Sequence, residues 1–157
     1  MARGDFALFE QFAKYFLNAT TAWDLASGGD SIRLGIVNNT ATVPIITATD
    51  PTWNDFSANE VTPGAGSLYP ADGFVLTGQT YTEAAGVATF DAANITLTQT
   101  DGGFEDAYWG VLYNQTVGGA SGECIGILDL GGPVSELAGP IVITWNASGI
   151  FTVTITP

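Results

Sequence analysis

The sequence predicts a mainly β fold: a single-domain antiparallel β-sandwich or jelly-roll-like barrel with one N-terminal α-helix. Three observations carry that expectation. Twenty glycines and seven prolines are dispersed along 157 residues rather than clustered, which suits many short strands joined by turns. From residue 74 onward, short apolar runs recur with turn residues between them. Only residues 5–18 show a sustained helical period. Hydrophobic residues make up 46% of the chain and aromatics 11%, enough for a substantial core. A domain of this length buries roughly 68–70% of its unfolded surface, and residues 1–157 are read as one domain.

The helix is expected over residues 5–18. Asp5 is placed to cap it, Glu10 and Lys14 stand four apart as a favourable ion pair, and Asn18 is a stop. On a wheel of about 100° per residue, Leu8, Phe12, Phe16, Phe9, Ala13, Phe6 and Leu17 fill an arc of roughly 150–200°. A surface helix of a monomer needs a stripe only a little over about 100° wide. This helix therefore needs cover from more than one side, either under the β body of its own domain or at a subunit contact.

Ile32 to Asn38 then reads as a first strand. Residues 39–73, rich in Thr, Pro, Asp, Asn and Gly, read as a long decorated connection with one or two short strands. Within it, Trp53 and Phe56 lie among turn formers and are expected to pin the loop onto the core. Strands follow at 74–77, 80–83, 87–90, 95–99, 107–113, 123–130, 140–145 and 150–156. In the last of these, apolar residues alternate with threonines, so Phe151, Val153 and Ile155 share a face. Asn146 to Gly149 is expected to turn that strand back onto Ile141, Ile143 and Trp145 as a C-terminal hairpin.

Charge restricts function sharply. The chain carries a net −13, with Arg3, Lys14 and Arg33 its only cationic side chains and no histidine. Twelve of the sixteen acidic residues lie between Leu34 and Pro157, a stretch without a single positive side chain. Nucleic-acid binding needs cations against phosphates, and anionic membranes would repel this surface, so neither is expected as a partner. Without histidine there is no conventional serine or cysteine triad, no histidine base and no ordinary zinc site. The N-terminus is read as mature and non-secreted, because Asp5, Glu10 and Lys14 interrupt its apolar stretch. Five N-x-[ST] triplets, at Asn18, Asn38, Asn94, Asn114 and Asn146, then follow from composition rather than glycosylation, and the Arg3-Gly4-Asp5 triplet is a chance match. Cys124, alone, reads as a small buried hydrophobe.

Carboxylates are what remain for chemistry. Asp101, Glu105 and Asp106 form the densest acidic cluster, just before Tyr108 and Trp109. Glycosidases need only two carboxylates, and calcium takes hard oxygen ligands, but a solvated turn before an aromatic strand has the same composition. The glycine pairs Gly118-Gly119 and Gly131-Gly132 mark turns and lack a phosphate-loop context. No cofactor and no enzymatic activity are expected.

The phrases GDFALFEQFAKYFLNAT, SIRLGIVNNTATV, ATDPTWNDFSANEV, AYWGVLYNQT, IGILDLGG and GPIVITWNASGIFTVT span nearly the whole chain. Together they resemble a group of small structural proteins of tailed bacteriophages. The resemblance implies a non-enzymatic virion component with no catalytic residues, and favours a head decoration (cement) protein on the capsid surface, made in the host cytoplasm. Its partner would be the major capsid protein, and a homo-oligomer, with a trimer favoured, would be the working unit. Since all three cations lie in the first 33 residues, the lattice or subunit contact is expected on Phe6, Phe9, Phe12, Lys14, Phe16 and Arg33. Deleting residues 1–18 would then abolish association and leave a soluble β fold; if the helix is core, the truncated chain would not fold. The alternatives are a tail or fibre component, a carbohydrate-binding β-module using Trp53, Trp109 or Tyr108, and a carboxylate-only hydrolase.

Overall fold

The computed structural model describes residues 1–18, 22–39, 43–62, 69–99, 103–117, 121–136 and 139–154. Ten strands dominate: β1 (Phe6–Leu8), β2 (Ile32–Val37), β3 (Phe74–Val75), β4 (Thr80–Ala84), β5 (Val87–Asp91), β6 (Ile95–Gln99), β7 (Phe104–Asn114), β8 (Glu123–Glu136), β9 (Gly139–Ile143) and β10 (Phe151–Thr154). Two short helices, α1 (Phe12–Asn18) and α2 (Trp53–Ser57), complete the elements. The strands form three antiparallel sheets, ordered β1-β8-β7-β2-β3, β10-β5-β4 and β6-β9. The sheets do not close into a barrel, and the layering is consistent with a β-sandwich.

Alternation along the strands explains the layers, because successive side chains point to opposite faces. On β2, Ile32, Leu34 and Ile36 enter one core, while Val37 enters another on the opposite face. The first core joins the five-stranded sheet to Phe90, Ile95, Trp145 and Ile150, with Ile141, Ile143 and Phe151 packed against it. The second gathers Phe9, Trp53, Phe56, Val111, Tyr113, Cys124 and Ile127. The large sheet is therefore covered on both faces, and Cys124 is a buried small hydrophobe, 0% exposed, whose thiol pKa burial pushes up. Strict alternation fails at bulges. Between the pairs Leu112↔Gly126 and Tyr113↔Cys124, β8 carries one extra residue, Ile125, so that Ile125 faces the first core and Ile127, two residues on, the second.

The N-terminal expectation needs correction. Residues 6–8 are a strand, not a helix: Phe6 pairs with Leu128, Ala7 with Ile127 and Leu8 with Gly126. A helical period over a short apolar run cannot be told from a buried strand by pattern alone. Here the edge of β8 decides, because helix nucleation is costly and a ready-made ladder satisfies the same backbone groups. The helix begins only at Phe12, so Glu10 lies before it, and Lys14 pairs with Asp50 instead. The connection also differs from expectation: between residues 39 and 73 the described part contains α2 and no named strand. Its start follows a T-x-x-D pattern, in which the Asp55 carboxylate accepts hydrogen bonds from the Thr52 N–H and hydroxyl, at 2.8 and 2.9 Å. As the sequence suggested, Trp53 and Phe56 pin this segment down, each 2% exposed.

The C-terminal hairpin does not form either. The turn is present, with the Gly149 N–H bonded to the Asn146 carbonyl at 2.9 Å. Its two legs separate, however: β9 pairs with β6 and β10 with β5. Non-local partners win because Leu97 and Ile95 match Ile141 and Ile143, and Phe90 matches Phe151. Trp145 and Ile150, each 8% exposed, are drawn into the core between the legs and hold them apart.

One consequence is a proteolysis pattern. Trypsin acting on the native protein is expected to cut first after exposed Arg3, while Arg33 resists because it lies in β2 between β3 and β7. Only after heat or denaturant should mass spectrometry show fragment 34–157, which then stays whole. Early cleavage after Arg33 in the native protein would contradict the central position of β2.

Candidate functional site

The parting of β9 from β10 leaves a cleft of about 700 Å³. Residues 141–146 come from β9 and the following turn, and residues 148–152 from the turn and β10. Along a strand, alternate side chains face opposite ways, so a cavity lined by consecutive residues meets the strand at its edge. Among the described residues, each of these two strands pairs with a neighbouring strand on one side only. The floor comes from the large sheet through Ile36, Phe104, Leu128 and Val134, and is apolar. Arg3, Asp5 and Asp129 supply charge at the rim. The Gly131 N–H donates to the Asp129 carboxylate at 2.7 Å, and the Ala2 N–H to that of Asp5 at 2.7 Å, so both carboxylates are oriented by backbone.

The residues expected to make the lattice or subunit contact do not share one surface. Phe9 and Phe12 are 1% and 3% exposed and lie in the chain's own two cores. Phe6 is half-buried, stacks on Phe151 at 6.4 Å between ring centroids, and lines the cleft. Lys14 is exposed and paired with Asp50. Arg33 is half-buried on β2, opposite Val75 and Tyr113. The Phe16 side chain falls outside the described residues. Of the described members of the set, Lys14 is exposed, Phe6 and Arg33 are half-buried, and Phe9 and Phe12 are buried.

Around Arg33 the chain builds a polar cluster against the second core. The Tyr69 hydroxyl accepts from the Ile36 N–H at 2.9 Å and donates to Glu60 at 2.8 Å, while the Tyr113 hydroxyl donates to the Asp72 carbonyl at 2.5 Å. Arg33 Nε is buried, with no hydrogen-bond partner among the described residues. Burial raises the pKa of Tyr69 and Tyr113, and for Tyr113 the nearby Arg33 works in the opposite direction. Burial also raises Glu60 above its ordinary value of 4.5, against the lowering effect of its hydrogen bond from Tyr69.

That shift has a sign. Between 4.5 and the raised folded value, the native chain keeps a proton that the unfolded chain has released. Stability from Glu60 is therefore fully present below pH 4.5 and is lost as pH rises through the folded value. Glu60→Gln is expected to flatten this dependence, giving a smaller change in urea midpoint between pH 7 and pH 4.5 than the parent chain shows. An unchanged slope would remove Glu60 as its source.

The other sequence candidates resolve differently. Glu105 and Asp106 are exposed on β7 itself, where the register shifts between Phe104 and Ala107. Asp106 sits there at φ 55°, with its N–H donating to Ser135 Oγ at 3.2 Å. The acidic residues thus occupy a bulge inside a strand rather than a turn before one; Asp101 lies outside the described residues. Among the described residues no group of three or more acidic or cysteine side chains is placed to hold a metal. Trp53, the first residue of α2, is buried in the second core and has no face for a sugar, and Tyr108 and Trp109 are half-buried. Asn114 is 0% exposed, so its triplet offers no glycan site. No described helix is long and apolar enough to cross a membrane.

The cleft was not visible in the sequence. Its walls are the two segments expected to form a hairpin, and no local signal reports that each finds a distant partner. No family model, curated protein or solved structure matches this chain.

Proposed function

We propose that this chain is a non-enzymatic structural protein of a tailed-bacteriophage virion, and within the virion a decoration (cement) protein of the outer head lattice. One observation carries the reading. Asp5, Glu10, Asp24, Asp72, Glu83 and Glu105 are exposed carboxylates, the first four in connections and the last two on β4 and β7, while Lys14–Asp50 is the one ion pair among the described residues. With a net charge of −13, such a surface repels polyanions and disfavours non-specific contacts. It suits a domain displayed in many copies outside a shell filled with nucleic acid. The resemblance of the sequence phrases to phage structural proteins supports the same reading, as does the mainly β architecture, which we read as a single sandwich domain. The major capsid protein is the partner this reading requires, and a homo-oligomer, a trimer by preference, is its working unit.

The test is stoichiometry in purified particles. A head decoration protein is expected in stained gels at copy numbers comparable to the major capsid protein, and to be released by treatments that leave the shell intact. A few copies per particle, co-purifying with tails, would assign it to the tail or fibre. Absence from the particle would refute the reading.

A further inference from the structure

We propose that the cleft between β9 and β10 receives an extended segment of a partner protein as an added strand, one carrying alternating apolar residues and basic flanks. The site is independent of the virion reading: any partner with such a segment would satisfy it.

Unpaired strand edges carry rows of backbone donors and acceptors that accept another strand, and proteins usually cover or blunt them. Here, among the described residues, two such edges border one cavity, that of β9 beyond β6 and that of β10 beyond β5. The cavity volume of about 700 Å³ falls within the roughly 300–1,000 Å³ typical of ligand sites. An inserted strand would join the two-stranded and three-stranded sheets into one layer facing the five-stranded sheet. Its main chain would bond the flanking edges, and every second side chain would enter the floor formed by Phe104, Leu128 and Val134. On the outer face it would lie beside Val142 and Val153, which are 56% and 43% exposed.

Charge selects the occupant. A second copy of this chain would bring another −13 to the contact. Of its three cations, Lys14 is already paired with Asp50 and Arg33 lies half-buried in β2, which leaves Arg3 as the exposed one to offset this. The charged residues lining the cleft are Asp5, Asp129 and Arg3, and with the chain's net −13 they leave an excess of negative charge that a segment with lysine or arginine at its outward positions meets favourably.

The experiment pans a displayed library of random peptides against the full-length protein, then follows a synthetic copy of the strongest sequence by hydrogen exchange. The expected consensus alternates apolar and polar positions with lysine or arginine at the ends. The peptide should slow exchange in residues 140–144 and 150–153. N-methylation of its alternate amides should weaken binding by about tenfold or more, as loss of edge hydrogen bonds requires. Val142→Lys, at an exposed position that tolerates the charge, should weaken binding similarly, and Val142→Thr should not. Three results would overturn the proposal: equal binding by the N-methylated peptide, protection confined to other residues, or a consensus lacking alternation and basic flanks. Protection of the same amides with rising protein concentration alone would assign the cleft to a second copy and also overturn it.

Discussion

Trp53→Ala is expected to destabilise the protein by about 3–5 kcal/mol, the range for deleting a fully buried aromatic. The ring is 2% exposed and lies parallel to Tyr113, with centroids 4.8 Å apart and planes within 1°. Two glycines make room for this pair. A Cβ on Gly35 would stand 2.2 Å from the Trp53 ring, and one on Gly122 would stand 2.5 Å from Tyr113. Neighbours so closely fitted leave little freedom to collapse into the space the indole vacates, which places the loss toward the upper end of the range. For a chain of this size, each kcal/mol moves the midpoint by about 2–4 °C, so a fall of roughly 6–20 °C is expected in calorimetry. Trp53→Phe, which keeps a ring over Tyr113, should fall less. A shift of only a degree or two for the alanine variant would show that α2 is an ornament on the sheet and not part of its second core.

Removal of residues 1–18 is expected to abolish folding. The deletion strips β1 from the edge of β8 and takes Phe9 from one core and Phe12 from the other. Each phenylalanine alone accounts for about 3–5 kcal/mol when truncated to alanine, and a whole domain is stable by only about 5–15 kcal/mol. The truncated chain should therefore show no cooperative thermal transition and should aggregate or bind hydrophobic dyes. The deletion thus cannot separate a folded body from a binding arm, because this stretch belongs to the body. A truncated chain that melts cooperatively would show instead that these residues are appended to a self-sufficient sheet system.

Much of the strand content was legible because β-periodicity is local. Ile32, Leu34 and Ile36 alternate with Arg33, Gly35 and Val37, and the structure divides them between two faces as written. Trp53 and Phe56 were legible as anchors, since two large aromatics in a polar loop have little to do but reach the core. What escaped was pairing. Phe6, Ala7 and Leu8 fit a helical wheel, yet an unfilled edge of β8 takes them as a strand. Ile141 and Phe151 fit a hairpin, yet Leu97 and Phe90 claim them from distant parts of the chain. The cleft is the consequence of those two competitions, so it could not be read before they were resolved. The acidic pair Glu105 and Asp106 was misplaced for a related reason: a bulge interrupts the alternation by which β7 would have been extended back to Phe104.

Cryo-electron microscopy of the intact particle tests the functional proposal most directly. Regularly repeated density on the outer surface of the head, accommodating this mainly β chain and absent from the interior, is the predicted result. Density for the chain in the tail, or inside the shell against nucleic acid, would contradict the account.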